Sequence, residues 1–114
     1  MKFKRSQRVQ ELLLEEISKL IQSGLKDPRI GFATVTEVAL TDNLKYARVY
    51  VSILGGEEMK SATLEGLQSA RGYIRSWLGK NLYLKDIPEL EFHLDETPER
   101  AEKIHRILHD LDLE

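Results

Sequence analysis

The sequence predicts an α+β fold, and three observations carry that prediction. Two stretches place apolar residues at helical spacing, and one pair of short runs alternates with period two around a turn. A third short alternating run and a Thr-Pro helix start then follow near the C-terminal end. The 114 residues are enough to bury one core without staples. The expected arrangement is a single domain over 1–114, of order α-β-β-α-β-α, with a three-stranded sheet packed against helices.

The first helix is predicted after Ser6, with Val9, Leu12, Leu13, Ile17, Leu20 and Ile21 on one stripe. Gly24 is placed to end it, and Lys26-Asp27-Pro28-Arg29 forms the exit turn, since Pro28 cannot continue a helix. Phe32 to Leu40 is rich in Thr and Val, as a strand requires. Asp42-Asn43 turns the chain into Tyr46–Leu54, where Ala47, Val49, Val51 and Ile53 share one face of an antiparallel hairpin. Tyr46, Arg48, Tyr50 and Ser52 take the other face, where the tyrosines are expected to cover the sheet and not to stack bases.

Gly55-Gly56 breaks the chain before a second helix, whose stripe is Met59, Ala62, Leu67, Ala70, Ile74, Trp77 and Leu78, and which Gly79 is expected to close. Inside it lies Ala70-Arg71-Gly72. A helix-interior glycine costs about 1 kcal/mol relative to alanine, so it implies close packing or a kink. Leu90, Phe92 and Leu94 alternate with Glu91 and His93 in a third strand introduced by Pro88. Thr97 as N-cap and Pro98 at the first helical position then open an acidic helix over about 98–111.

A formal net charge of −2 conceals segregation. Residues 1–85 hold 14 basic and 9 acidic groups, whereas 86–114 hold 3 basic and 10 acidic. Lys2, Lys4, Arg5 and Arg8 open the chain without an acid, and Arg71, Arg75, Lys80 and Lys85 form a second acid-free stretch. On a helical wheel Arg71 and Arg75 share a flank beside the kink. This distribution fits a polyanion-binding face with an acidic segment held away from it.

Several chemistries have no foothold. Zero cysteines exclude disulfides, thiolate metal sites and thiol catalysis. Apolar runs stop at three residues, as in Leu12-Leu13-Leu14, so no membrane span is expected. His105 and His109 are four apart, but Arg106 stands where a zinc-protease helix needs its Glu, so no metal site is expected. His93 reads as a surface residue. Asp95, Glu96 and Glu99 define no acid/base pair, and phosphate-loop, dinucleotide and Gly-x-Ser-x-Gly signatures are absent. No catalytic residue, cofactor or small-molecule substrate is expected.

The order of elements, with a small-residue break in the second helix, resembles a type II KH domain. Its Gly-x-x-Gly loop is missing, and Ala70-Arg71-Gly72 stands in its place. With Arg5-x-x-Arg8-Val9, Leu25-Lys26-Asp27-Pro28-Arg29-Ile30-Gly31, the two hairpin strands, Pro88-Glu89-Leu90-x-Phe92 and Asp95, the chain resembles the ribosome-binding factor A family over roughly 4 to 111. The resemblance implies a kinked type II KH-like domain that binds the immature 30S subunit and 16S rRNA, near its 5′-end helix and the neck. It implies help in late maturation without catalysis or cofactor, in the cytoplasm, with a link to growth at low temperature.

The break motif of that family carries over to Ala70, Arg71 and Gly72. From charge, the expected RNA contacts are Lys2, Lys4, Arg5, Arg8, Arg29, Arg71, Arg75, Lys80 and Lys85. The domain is expected to act as a monomer. A KH-like module for another RNA and a protein-interaction domain using the acidic helix are the alternative readings.

Overall fold

Apolar periodicity places the elements, and their burial shows which side of each faces inward. The computed structural model describes residues 2–25 and 27–97. The acidic helix expected over about 98–111, with His105 and His109, lies outside the described residues, as do the side chains of Lys2 and Lys4. Helix α1 (Lys2–Ser23) buries Val9, Leu13, Ile17, Leu20 and Ile21, while Leu12, on the margin of the stripe, stays exposed. It begins ahead of Ser6, which lies inside the helix and does not cap it, because Lys-Phe-Lys-Arg contains no breaker. Gly24 ends it in the left-handed region, at φ 99°, with its N–H on the Ile21 carbonyl at 3.2 Å.

Strands β1 (Ala33–Leu40) and β2 (Tyr46–Ile53) pair antiparallel. A bulge at Thr36 lets Val35 and Val38, three apart, both turn into the core. Strand β3 (Glu89–Leu94) lies parallel to β2, giving the order β1-β2-β3. A parallel neighbour needs a crossover, and helices α2 (Glu57–Ser69) and α3 (Arg71–Asn81) supply it. Over the described residues the order is therefore α-β-β-α-α-β, an α+β domain with a three-stranded sheet packed on one side against helices.

The core fills the space between that sheet face and the helices. Val49, Val51, Ile53 and Phe92 meet Leu13 and Ile17 of α1, Leu67 of α2, and Ile74 and Leu78 of α3 in one buried cluster. Gly66 marks a close approach of α2: a Cβ there would stand 2.7 Å from Cγ1 of Ile30. Gly79 does not close α3, contrary to expectation. Its position faces only the Ile87 side chain, with ordinary helical backbone, and the helix runs on to Asn81, whose Nδ2 donates to the Trp77 carbonyl at 2.7 Å. Termination comes at Leu82, where the backbone turns extended.

Candidate nucleic-acid interface

The predicted kink is a one-residue break at Ala70 between two helices. Ala70 leaves helical geometry, and its N–H is shared between the Gly66 and Leu67 carbonyls at 3.0 and 3.1 Å. Its own carbonyl accepts the Ile74 N–H at 2.9 Å, so α3 restarts at once. The exposed Arg71 folds back, and its Nε donates to the Gln68 carbonyl at 2.9 Å. A cation thus caps the negative end of α2, where the helix dipole favours it.

The opposite pole, at the start of α3, is left open. No side chain caps its N–H groups, and no acid stands in its first turn. Gly72 is the second residue of this helix, and a Cβ built there meets nothing within 4 Å among the described residues. Close packing therefore accounts for Gly66 and not for Gly72. The break sets a helix start that no side chain caps beside a guanidinium, an arrangement suited to an anion.

A cleft of about 460 Å³ runs beside the break, between Gly24, Leu25 and Asp27 on one wall and Ser69, Ala70 and Tyr73 on the other. Thr63, buried in α2, fixes that wall by accepting the Gly31 N–H at 3.1 Å and donating to the Arg29 carbonyl at 3.3 Å. Arg29 itself forms a two-pronged pair with Asp27, at 3.1 and 2.7 Å, and its backbone N–H adds a third bond at 2.9 Å. The Arg29 side-chain bonds, then that backbone bond, hold the Asp27 carboxyl at about 2, below its ordinary 3.8. The Asp27 bonds raise the guanidinium in turn.

Arg75 has a different environment from Arg71. Its Nε donates to the Pro88 carbonyl at 3.0 Å, one terminal nitrogen to the Ile87 carbonyl at 2.9 Å, and the other pairs with Glu89 at 3.2 Å. It ties α3 to the entrance of β3, so the two arginines that share a helical-wheel flank are held by different partners. Arg8 and Lys80 are exposed and line neither the break cleft nor the cleft at the far end of α1. Arg5 and Lys85 come together at the far end of α1, around a cleft of about 170 Å³ that Lys45 also lines.

Lys45 escapes sequence reading because it stands alone between a turn and a strand, and only the pairing of β2 with β3 brings it to Lys85. Tyr73 also goes unflagged, as a single aromatic beside an apolar stripe. The sheet face away from the helices is of another character. There the Tyr50 and His93 rings lie 5.7 Å apart, beside a recess lined by Glu37, Asp95 and Glu96. Thr36 Oγ1 donates to Asp95 at 2.7 Å, and that bond, with the Thr97 N–H, holds the Asp95 carboxyl below the usual range. Carboxylates on this side repel phosphate. Among the described residues no group of three or more acidic or histidine side chains could hold a metal, and no helix is long and apolar enough to cross a membrane.

These features define a class: a small α+β domain with a mixed sheet, backed by helices, one of which is broken beside an open helix pole. Residues 5–108 match the sequence profile of the ribosome-binding factor A family. Ribosome-binding factor A of Dictyoglomus thermophilum is 46% identical over 111 residues, covering 96% of this chain and 92% of that one. The crystal structure of ribosome-binding factor A from Thermus thermophilus superposes with a TM-score of 0.68 at 26% identity, over 76% of this chain and 91% of that one. A homology model of the Thermus thermophilus factor, fitted into the cryo-EM map of its complex with 30S, gives 0.64 at 28% identity, over 75% and 90%. The chain belongs to the ribosome-binding factor A family.

Proposed function

We propose that this protein is a non-enzymatic assembly factor that binds the immature 30S subunit through 16S rRNA and assists late rRNA maturation, with a role in growth at low temperature. One observation carries the reading: the family match spans 5–108, and a relative has been fitted into the map of a 30S complex. The α-β-β-α-α-β order, with Ala70 at the helix break, supports a type II KH-like module in which the usual clamp loop is replaced.

In this reading Arg71, the α3 pole and the side-chain-free Gly72 meet the rRNA backbone, and Arg29 borders the same cleft. Arg5, Arg8, Lys80 and Lys85, with Lys2 and Lys4, add phosphate contacts that release counterions. Arg75 contributes charge while holding β3. Recognition comes from rRNA shape. Binding one rRNA conformer better than another shifts its population without any bond chemistry. The factor acts as a cytoplasmic monomer, and zero cysteines accord with a reducing compartment.

Titration against purified 30S subunits over a range of salt tests this. The parent is expected to bind with steep salt dependence, and Arg71→Glu to lose about tenfold in affinity and about one unit of salt slope. Arg71 is the better target, because changing Arg75 also removes the anchor of β3. Equal affinity for 30S and for generic single-stranded RNA would move the assignment to a KH-like module for other RNAs.

A further inference from the structure

The end of the helical layer farthest from the break gathers charge that the fold itself leaves unused. Arg5 lies nineteen residues from Gly24, roughly 28 Å along the axis of α1. There Arg5, Lys45 and Lys85, from three segments distant in sequence, line one cleft with Asn43, and among the described residues Asp86 is the only carboxylate lining it. None of the three cations has an ion-pair partner among the described residues. The cleft holds about 170 Å³, a volume of about six waters, enough for a tetrahedral anion. Convergence of three like charges is unfavourable until an anion joins them.

The hairpin turn that carries Lys45 is rigidly built. Leu44 sits at φ 61°, a backbone region that leucine rarely adopts, and its N–H donates to the Thr41 carbonyl at 2.9 Å. The side-chain oxygen of Asn43 accepts the Thr41 hydroxyl at 2.7 Å and the Lys45 N–H at 3.0 Å. With its oxygen occupied, Asn43 has its amide nitrogen left as a donor. The Lys45 carbonyl accepts the Glu89 N–H at 2.8 Å, which fastens the turn to β3. Two residues before Lys85, Tyr83 is completely exposed and adds nothing to the core. A bare aromatic ring two residues along the chain from a cleft-lining lysine is a candidate to stack an unpaired base.

We infer that this cleft is a second RNA contact, in which Arg5, Lys45 and Lys85 hold a backbone phosphate of an unpaired strand and Tyr83 stacks a base of the same strand. The inference rests on the reading of the chain as an rRNA-binding factor. It adds Lys45, Asn43 and Tyr83 to the interface and places two contacts at opposite ends of one helical layer. An unpaired strand is required, because a base inside a duplex offers no face to Tyr83.

Two variants of the full chain test it, Lys45→Ala/Lys85→Ala and Tyr83→Ala, each checked for native melting. Both are titrated with 30S subunits and, separately, with a short labelled oligouridylate. The double variant is expected to lose about tenfold or more in affinity for both probes and about two units of salt slope. Tyr83→Ala is expected to lose about tenfold with its slope unchanged. Unchanged affinity and slope in the double variant would overturn the cleft. Unchanged binding by Tyr83→Ala, or losses confined to 30S, would overturn the stacked, unpaired strand. If the parent binds the oligouridylate with these dependences but not 30S, the cleft stands and the 30S reading fails.

Discussion

Gln68 grips Phe92 across the outer edge of the sheet: its Nε2 donates to the Phe92 carbonyl at 3.0 Å, and its Oε1 accepts the Phe92 N–H at 3.5 Å. One carboxamide thus replaces a neighbouring strand at the residue whose ring fills the core. The other edge is treated in the same way, since the Leu40 N–H donates to Gln10 Oε1 at 3.0 Å. Unpaired edges invite pairing with other chains, and here two glutamines from the helical layer occupy them. Gln68 also supplies the carbonyl that Arg71 caps, so the helix break and the edge of β3 are joined through one residue.

Removing that side chain leaves two half-buried backbone groups without their partner. Gln68→Ala is expected to lower stability by about 1–3 kcal/mol, the cost of unsatisfied polar groups, in urea or thermal unfolding. Gln68→Glu should be worse than alanine, because a carboxylate then faces the Phe92 carbonyl with no proton to donate. The order Gln, Ala, Glu from most to least stable is the signature of the bridge. Equal stability of all three variants would mean that water serves the edge as well.

Elements are legible in the sequence where one periodicity suffices. The stripes of α1 and α3, the β1–β2 hairpin and the Leu90–Phe92–Leu94 alternation all emerge as elements at those places. Failures have a common cause, which is that the deciding partner is distant in sequence. The carbonyls that hold Arg75 belong to Ile87 and Pro88, which the helical wheel that sets Arg75 beside Arg71 does not include. Lys45 joins Lys85 only once the sheet forms. The bulge at Thr36 is a partial exception, because two valines three apart cannot both face inward on a regular strand.

The Asp27–Arg29 pair predicts a pH response in acid. The folded carboxyl sits at about 2 against an ordinary 3.8, so ionised Asp27 stabilises the fold above about pH 4 and loses that effect as pH falls through 2. Asp27→Asn keeps an oxygen for the Arg29 N–H and removes the charge. Its melting temperature should lie below the parent's by a constant margin near neutrality, with the gap narrowing from pH 4 and closing near pH 2. Added salt should narrow the gap as well, because the pair is exposed to solvent. A gap independent of pH would show that the charge contributes nothing.

Two helical glycines carry opposite predictions. Alanine is the better helix former by about 0.5–1 kcal/mol, so propensity alone favours substitution at both Gly66 and Gly72. At Gly66 the new methyl would lie 2.7 Å from Ile30 Cγ1, and overpacking of about 1–3 kcal/mol outweighs that gain. Gly66→Ala should therefore melt earlier, and Ile30→Ala in the same chain should recover part of the loss, since the two residues share one space. At Gly72 the methyl meets nothing within 4 Å, so Gly72→Ala should melt at or above the parent temperature. If rRNA backbone approaches that open side of α3, the same variant should bind 30S several-fold more weakly. A gain in stability coupled to a loss in binding separates a glycine kept for a ligand from one kept for packing. Undiminished 30S affinity in Gly72→Ala would place the rRNA elsewhere on the domain.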